Sequence, residues 1–132
     1  RRAAGRRLRG GPPPVTFDEA AVHAIAELLG AEAHKAPFEV PKLPPGREGK
    51  PAGVKPGPVF QMSVRSQELG EPLLLTLWPS LGRVDVRLGR SYWALREITS
   101  VELYPGVEVL FRRDDPSAFL FVSVKGRVAL VA

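Results

Sequence analysis

Hydrophobic and polar residues alternate from Val59 to the end of the chain, and this period of two constrains the fold more than any other feature. Segment 60–65 reads FQMSVR and segment 83–88 reads RVDVRL. Successive side chains of a β-strand point to opposite faces, so each segment predicts a strand with one buried face. The apolar segment Leu73–Trp78 predicts a more fully buried strand.

Five further strands follow, and turn-forming residues separate them. The strands are predicted at Tyr92–Leu95, Val101–Tyr104, Val107–Arg112, Ala118–Val124 and Val128–Val131. The turns are predicted at Leu81-Gly82, Gly89-Arg90, Pro105-Gly106, 114–117 and Lys125-Gly126. Short strands joined by tight turns indicate a mainly β fold, a small antiparallel β-barrel or sandwich over residues 59–132.

The middle of this domain resembles a pleckstrin-homology (PH) domain in its hydrophobic spacing. The matching residues are Trp93, Leu95, Ile98, Val101 and Leu103. The resemblance covers about twenty residues and implies a PH-like small barrel closed by a helix. In that family the helix is C-terminal, whereas this sequence offers only an N-terminal one.

One amphipathic helix is predicted over residues 15–30. Thr16 and Glu19 form a capping box, and Gly30 provides a stop. The apolar face is predicted to comprise Phe17, Ala21, Ala24, Ile25, Leu28 and Leu29, with Val22 on the opposite face. This stripe predicts that the helix packs on the β-domain, and docking on a partner is the alternative.

Residues 31–58 are predicted to be a Pro-rich linker or an extended arm that wraps a partner. The segment holds seven prolines and five basic residues. Proline at this density excludes helix and central strand and favours extended conformations.

Positive charge is concentrated in a flexible basic arm, residues 1–14. Its five arginines are Arg1, Arg2, Arg6, Arg7 and Arg9. The chain has 19 Lys+Arg and 14 Asp+Glu, so without this arm the charges balance. The arm therefore predicts contact with an anionic partner, either RNA phosphate or an acidic protein. An Arg-rich, acid-poor start is also found in organelle-targeting segments, and the compartment stays open between cytoplasm and organellar matrix.

The sequence offers no pattern for catalysis or metal binding. Cysteine is absent, and the two histidines, His23 and His34, lack the spacing of a metal pair. The run at 114–117 has the composition of a hairpin turn. We therefore expect a non-catalytic protein with no cofactor or metal, no small-molecule substrate and no transmembrane segment.

A second candidate binding surface lies on one predicted strand pair. Arg83, Arg87, Arg90 and Tyr92 combine basic and aromatic side chains, the combination with which small β-barrels bind oligonucleotides. Asp85, between two of these arginines, is interpreted as a charge neutraliser. Trp93 is predicted to point into the core.

These observations predict an accessory or assembly subunit of a larger complex. The β-domain anchors the chain, and the basic arm holds an anionic partner. A ribonucleoprotein is one complex that offers such a partner. The alternative is an independent PH-like β-barrel that binds a peptide, by strand addition at a sheet edge, or an anionic lipid head group.

Overall fold

A computed structural model describes residues 11–39, 57–66, 68–115 and 118–131 of the chain. These residues form ten strands and one α-helix. The elements are β1 (Val15–Thr16), α1 (Glu19–Leu29), β2 (His34–Glu39), β3 (Pro58–Val64), β4 (Leu73–Trp78), β5 (Arg83–Leu88), β6 (Ser91–Leu95), β7 (Ile98–Tyr104), β8 (Glu108–Arg113), β9 (Phe119–Ser123) and β10 (Val128–Val131).

The strands form two five-stranded antiparallel sheets. The front sheet has the order β2-β3-β4-β5-β6, and the back sheet has the order β1-β7-β8-β9-β10. No ladder of hydrogen bonds joins the two sheets within the described ranges, so they form a sandwich-like arrangement and not a closed barrel. The predicted mainly β class is confirmed.

The hydrophobic core lies between the two sheets. It is formed mainly by every second residue of the strands, the ones whose side chains point inward. In β4, Leu73, Leu75 and Leu77 are fully buried while Leu74 is 46% exposed. Phe111 of β8 is also fully buried and meets Phe17 edge to face, with ring centroids 5.9 Å apart. Each buried side chain of this size contributes about 1.5–3 kcal/mol before conformational entropy is counted.

The residue that caps the N-terminus of α1 is not the predicted one, so the predicted capping box is wrong. Asp18, and not Thr16, is the N-cap: its Oδ1 accepts a hydrogen bond of 3.0 Å from the backbone N–H of Ala21. Thr16 instead lies in β1, opposite Ser100 of β7. Gly30 ends the helix in the left-handed conformation, as predicted.

The buried face of α1 is also rotated relative to the prediction. Val22, assigned to the polar face, is fully buried, and Ala26 is 5% exposed, whereas Ala24 and Leu28 are only half-buried. α1 contacts β3 of the front sheet and β7 and β8 of the back sheet, so it covers one side of the sandwich. No helix in the described part of the chain is long and apolar enough to cross a membrane.

The predicted arm 31–58 begins with a strand. β2 pairs with β3 through His34–Gln61 and Lys35–Phe60, with an irregularity before Glu39. It is an edge strand, a position in a sheet that tolerates a proline such as Pro37. At the other end of the predicted arm, Pro58 already belongs to β3. Residues 40–56 of this arm lie outside the described residues, and the wrapping role stays a prediction.

Candidate nucleic-acid interface

The outer face of the front sheet carries an open groove of about 640 Å³. Register places the outward side chains in rows across the sheet: Leu74, Arg87 and Tyr92 form one row. Thr76 and Asp85 belong to the next row, together with Gln61 of β3. The groove is therefore assembled from side chains of neighbouring strands that alternate with the buried ones.

Tyr92 is held in one orientation by a polar network on this face. Its hydroxyl group donates a hydrogen bond of 3.0 Å to Oδ2 of Asp85. Arg83 donates to the same carboxylate through Nε at 2.8 Å and Nη2 at 3.0 Å. The Tyr92 side chain nevertheless remains 48% exposed. The network thus fixes the hydroxyl end of the ring and leaves about half of the residue open to a ligand.

The charge of Arg83 is balanced within this network. Its hydrogen bonds with Asp85 raise the pKa of the guanidinium, and the hydrogen bond with Tyr92 acts in the same direction. The guanidinium carbon also lies 4.9 Å from the ring centroid of Trp78. Arg83 is therefore engaged by Asp85 and Trp78, and its contribution to the groove is to position Asp85 and, through it, Tyr92. The predicted neutralising role of Asp85 is confirmed for this arginine.

Arg87 differs from Arg83 because no carboxylate among the described residues pairs with its charge. Its guanidinium carbon lies 5.4 Å from the ring centroid of Tyr92, a cation–π contact. Arg87 is exposed, and no described carboxylate forms an ion pair with it. The groove therefore presents an available cation directly beside an available aromatic ring.

The structure separates the predicted strand cluster into two parts. Arg83, Arg87 and Tyr92 share the outer face of the front sheet, whereas Arg90 lies exposed in the turn between β5 and β6 and does not line the groove. Trp93 faces the core and is half-buried, as predicted. The arm residues Arg1, Arg2, Arg6, Arg7 and Arg9 lie outside the described residues.

Sequence reasoning missed the part of the groove that β2, β3 and β4 supply. His34, Gln61, Leu74 and Thr76 line it, and Trp78 flanks it through Arg83. The alternation of β3 and β4 was visible in the sequence. The order of the strands in the sheet was not visible. Consecutive hairpins place these outward side chains beside those of β5.

The remaining candidate residues of the sequence analysis lie outside the groove or at its margin. The described residues contain no group of three or more His, Asp or Glu side chains that could hold a metal ion. His23 and His34 are exposed and lie 3.7 Å from Glu19 and 3.6 Å from Glu32, respectively. Asp114 accepts a hydrogen bond of 3.0 Å from Thr99, which ties the turn after β8 to β7.

Comparison of the chain with protein families, with curated proteins and with solved structures finds no match.

Proposed function

We propose that this protein is a non-catalytic accessory subunit that binds single-stranded RNA within a larger complex. The groove of the front sheet binds the bases, and the N-terminal arginines bind phosphates. One observation carries the proposal: the half-exposed residue Tyr92, fixed by Asp85, lies beside the guanidinium of Arg87, which no described carboxylate pairs.

The ring of Tyr92 supplies a stacking surface. Base stacking on an aromatic side chain contributes about 1–3 kcal/mol per base and tolerates any base, because every base has a π-face. A ring that is already held by a hydrogen bond loses little conformational entropy when a base stacks on it. The Asp85–Tyr92 hydrogen bond therefore supports a preformed platform.

Arg87 supplies the charge that a nucleotide needs next to this platform. An arginine without a carboxylate partner can form charge-assisted hydrogen bonds to a phosphate group. His34 and Thr76, together with Gln61, add further hydrogen-bonding groups along the same groove. The groove thus combines a stacking surface, a cation and hydrogen-bonding groups, which are the components of single-strand binding surfaces.

The charge of the Arg-rich arm is a second argument for an anionic partner, and it does not depend on the groove. Five arginines within residues 1–9 give the chain its entire formal net charge of +5. The rest of the chain is balanced, so long-range attraction of a polyanion depends on the arm. In this proposal the arm provides affinity that falls with salt, and the groove provides contacts with bases.

The alternative of a PH-like module that binds an anionic lipid head group makes a different prediction. A head group offers phosphates without bases, so the ring of Tyr92 would contribute little to its binding. The PH-like topology suggested by the hydrophobic spacing of β6 and β7 is part of this alternative. Vesicles therefore belong in the same experiment as RNA.

The test compares three ligands on the full chain by fluorescence anisotropy. They are a labelled oligouridine of about twelve nucleotides, an abasic oligonucleotide with the same number of phosphates, and vesicles that contain a phosphoinositide. We expect the oligouridine to bind more tightly than the abasic strand. Equal binding of the two strands, or preference for the vesicles, contradicts the proposal.

A further inference from the structure

Strand β10 lies at one edge of the back sheet, and no strand of the described residues pairs with its outer side. Its partner among the described residues is β9, through the pairs Val128–Val122 to Val131–Phe119. The carbonyl oxygen of Arg127 accepts a hydrogen bond of 2.9 Å from Ser123, so that residue faces β9. Backbone groups alternate in direction along an antiparallel strand, and those of Val128 and Leu130 therefore point away from β9.

The side chains of β10 are more exposed than their position in the sheet would suggest. Leu130 lies opposite the fully buried Leu120, so it projects toward the core, yet it is 36% exposed. Val131, on the outer side, is 43% exposed. The reason is that the sheet ends at β10, which leaves apolar side chains uncovered along this edge.

Of the three other sheet edges, β1 and β2 carry features that discourage strand addition, and β6 lies in contact with β9 and β10. β2 contains Pro37, which has no N–H, and the exposed polar residues His34 and Lys35. β1 has only two residues. β10 has four residues, Val-Ala-Leu-Val, with neither a proline nor a charge. Natural sheets usually protect such an edge with one or the other.

We propose that β10 binds an extended apolar segment of a partner protein by strand addition, with an acidic residue flanking that segment. The unpaired backbone groups of Val128 and Leu130 specify an extended strand. The exposed side chain of Leu130 specifies apolar residues on the core side of the added strand. This protein-binding edge is separate from the groove of the front sheet.

The flanking acidic residue follows from the charges at the start of β10. Lys125 and Arg127 are exposed in the turn between β9 and β10 and form no ion pair with a described carboxylate. A second copy of β10 is a poor complement, because segment 125–131, KGRVALV, contains no acidic residue. A different chain with Asp or Glu beside its apolar strand can pair with the backbone of β10 and also form ion pairs with Lys125 and Arg127.

The experiment uses the full chain and a fluorescein-labelled peptide in which valine alternates with threonine after two glutamates. The matched peptide has lysines in place of the glutamates. Leu130→Pro removes an outward N–H without removing a hydrogen bond to β9, and Leu130→Lys adds a charge at the edge. Val107→Lys places the same charge on another exposed residue, in the turn between β7 and β8.

We expect the glutamate peptide to bind wild type and Val107→Lys equally, and Leu130→Pro and Leu130→Lys about tenfold more weakly. Hydrogen exchange should show protection of the Val128 and Leu130 amides on peptide addition, which a loss of fold in a variant cannot imitate. Absence of binding to wild type, unchanged binding to Leu130→Pro, or tighter binding of the lysine peptide overturns the proposal. Self-association of the wild type that Leu130→Pro abolishes overturns it as well, because the occupant is then a second copy.

Discussion

The hydroxyl group of Tyr92 and the carboxylate of Asp85 are joined by a hydrogen bond of 3.0 Å across strands β5 and β6. The same carboxylate receives two hydrogen bonds from Arg83, so the position of the aromatic ring depends on an ion pair within the sheet. The ring is thereby held at its hydroxyl end while almost half of the residue stays open. This relationship is the basis for proposing the groove as a binding surface.

Replacement of Tyr92 tests the stacking role. We expect Tyr92→Ala to weaken binding of oligouridine by about 1–3 kcal/mol, the usual contribution of one stacked base. Tyr92→Phe keeps the ring and should retain most of the affinity. Fluorescence anisotropy at one fixed salt concentration measures both variants. Equal losses for the two variants would contradict the stacking role, because the ring that Tyr92→Phe keeps would then contribute nothing beyond the hydroxyl group and its bond to Asp85.

Replacement of Arg87 tests the electrostatic role. The slope of log K against log salt for single strands falls by about 0.7 for each phosphate contact that is lost. We expect Arg87→Gln to lower the slope by this amount, because its guanidinium is exposed beside Tyr92. Arg90→Gln removes the same charge from the turn outside the groove and should leave the slope unchanged. A larger effect at Arg90 would place the binding surface at that turn instead.

Substitutions at the start of α1 test the observed N-cap. The backbone N–H of Ala21 loses its acceptor in Asp18→Ala, which should cost about 0.5–2 kcal/mol of unfolding free energy. Thr16→Ala removes the side chain that the sequence predicted as the cap, and it should change the free energy of unfolding by less than about 0.5 kcal/mol. Urea denaturation followed by circular dichroism measures both. The reverse order would restore the predicted capping box.

A glycine pair tests the close contact between the turn at Gly82 and the start of β7. Gly82 has a φ of 63°, and a Cβ there would lie 2.7 Å from the carbonyl oxygen of Ile98. Gly106 has a φ of 75° but open space around it. Both alanine variants lose about 1–2 kcal/mol through the left-handed backbone, and Gly82→Ala should lose clearly more. Equal unfolding free energies would show that the backbone at Ile98 yields without cost.

The strands of the β-domain could be predicted from the sequence because alternation is a local signal. Segment 83–88 is an example: its inward and outward residues were all assigned correctly, as was the neutralising role of Asp85. The helix start could not be predicted in the same way, because Thr16 and Asp18 both have side chains that cap helices. Pairing of Thr16 with β7, a contact between distant parts of the sequence, decides between them.

Strand β2 and the full extent of the groove could not be predicted for a similar reason. Pro37 argues against a strand in isolation, and only the free edge of β3 makes an edge strand available there. Gln61 and Thr76 gain a role in the groove only when the hairpins place them beside Asp85. These features depend on strand order, which a local pattern does not specify.

The most direct test of the central claim is a salt titration of oligouridine binding. It compares the full chain, a full-length variant with all five N-terminal arginines replaced by glutamine, and Tyr92→Ala. The account predicts a steep salt dependence for the wild type, a shallower one for the arginine variant, and for Tyr92→Ala an unchanged slope with lower affinity at every salt concentration. Wild-type protein that does not bind the oligonucleotide at low salt would contradict the account.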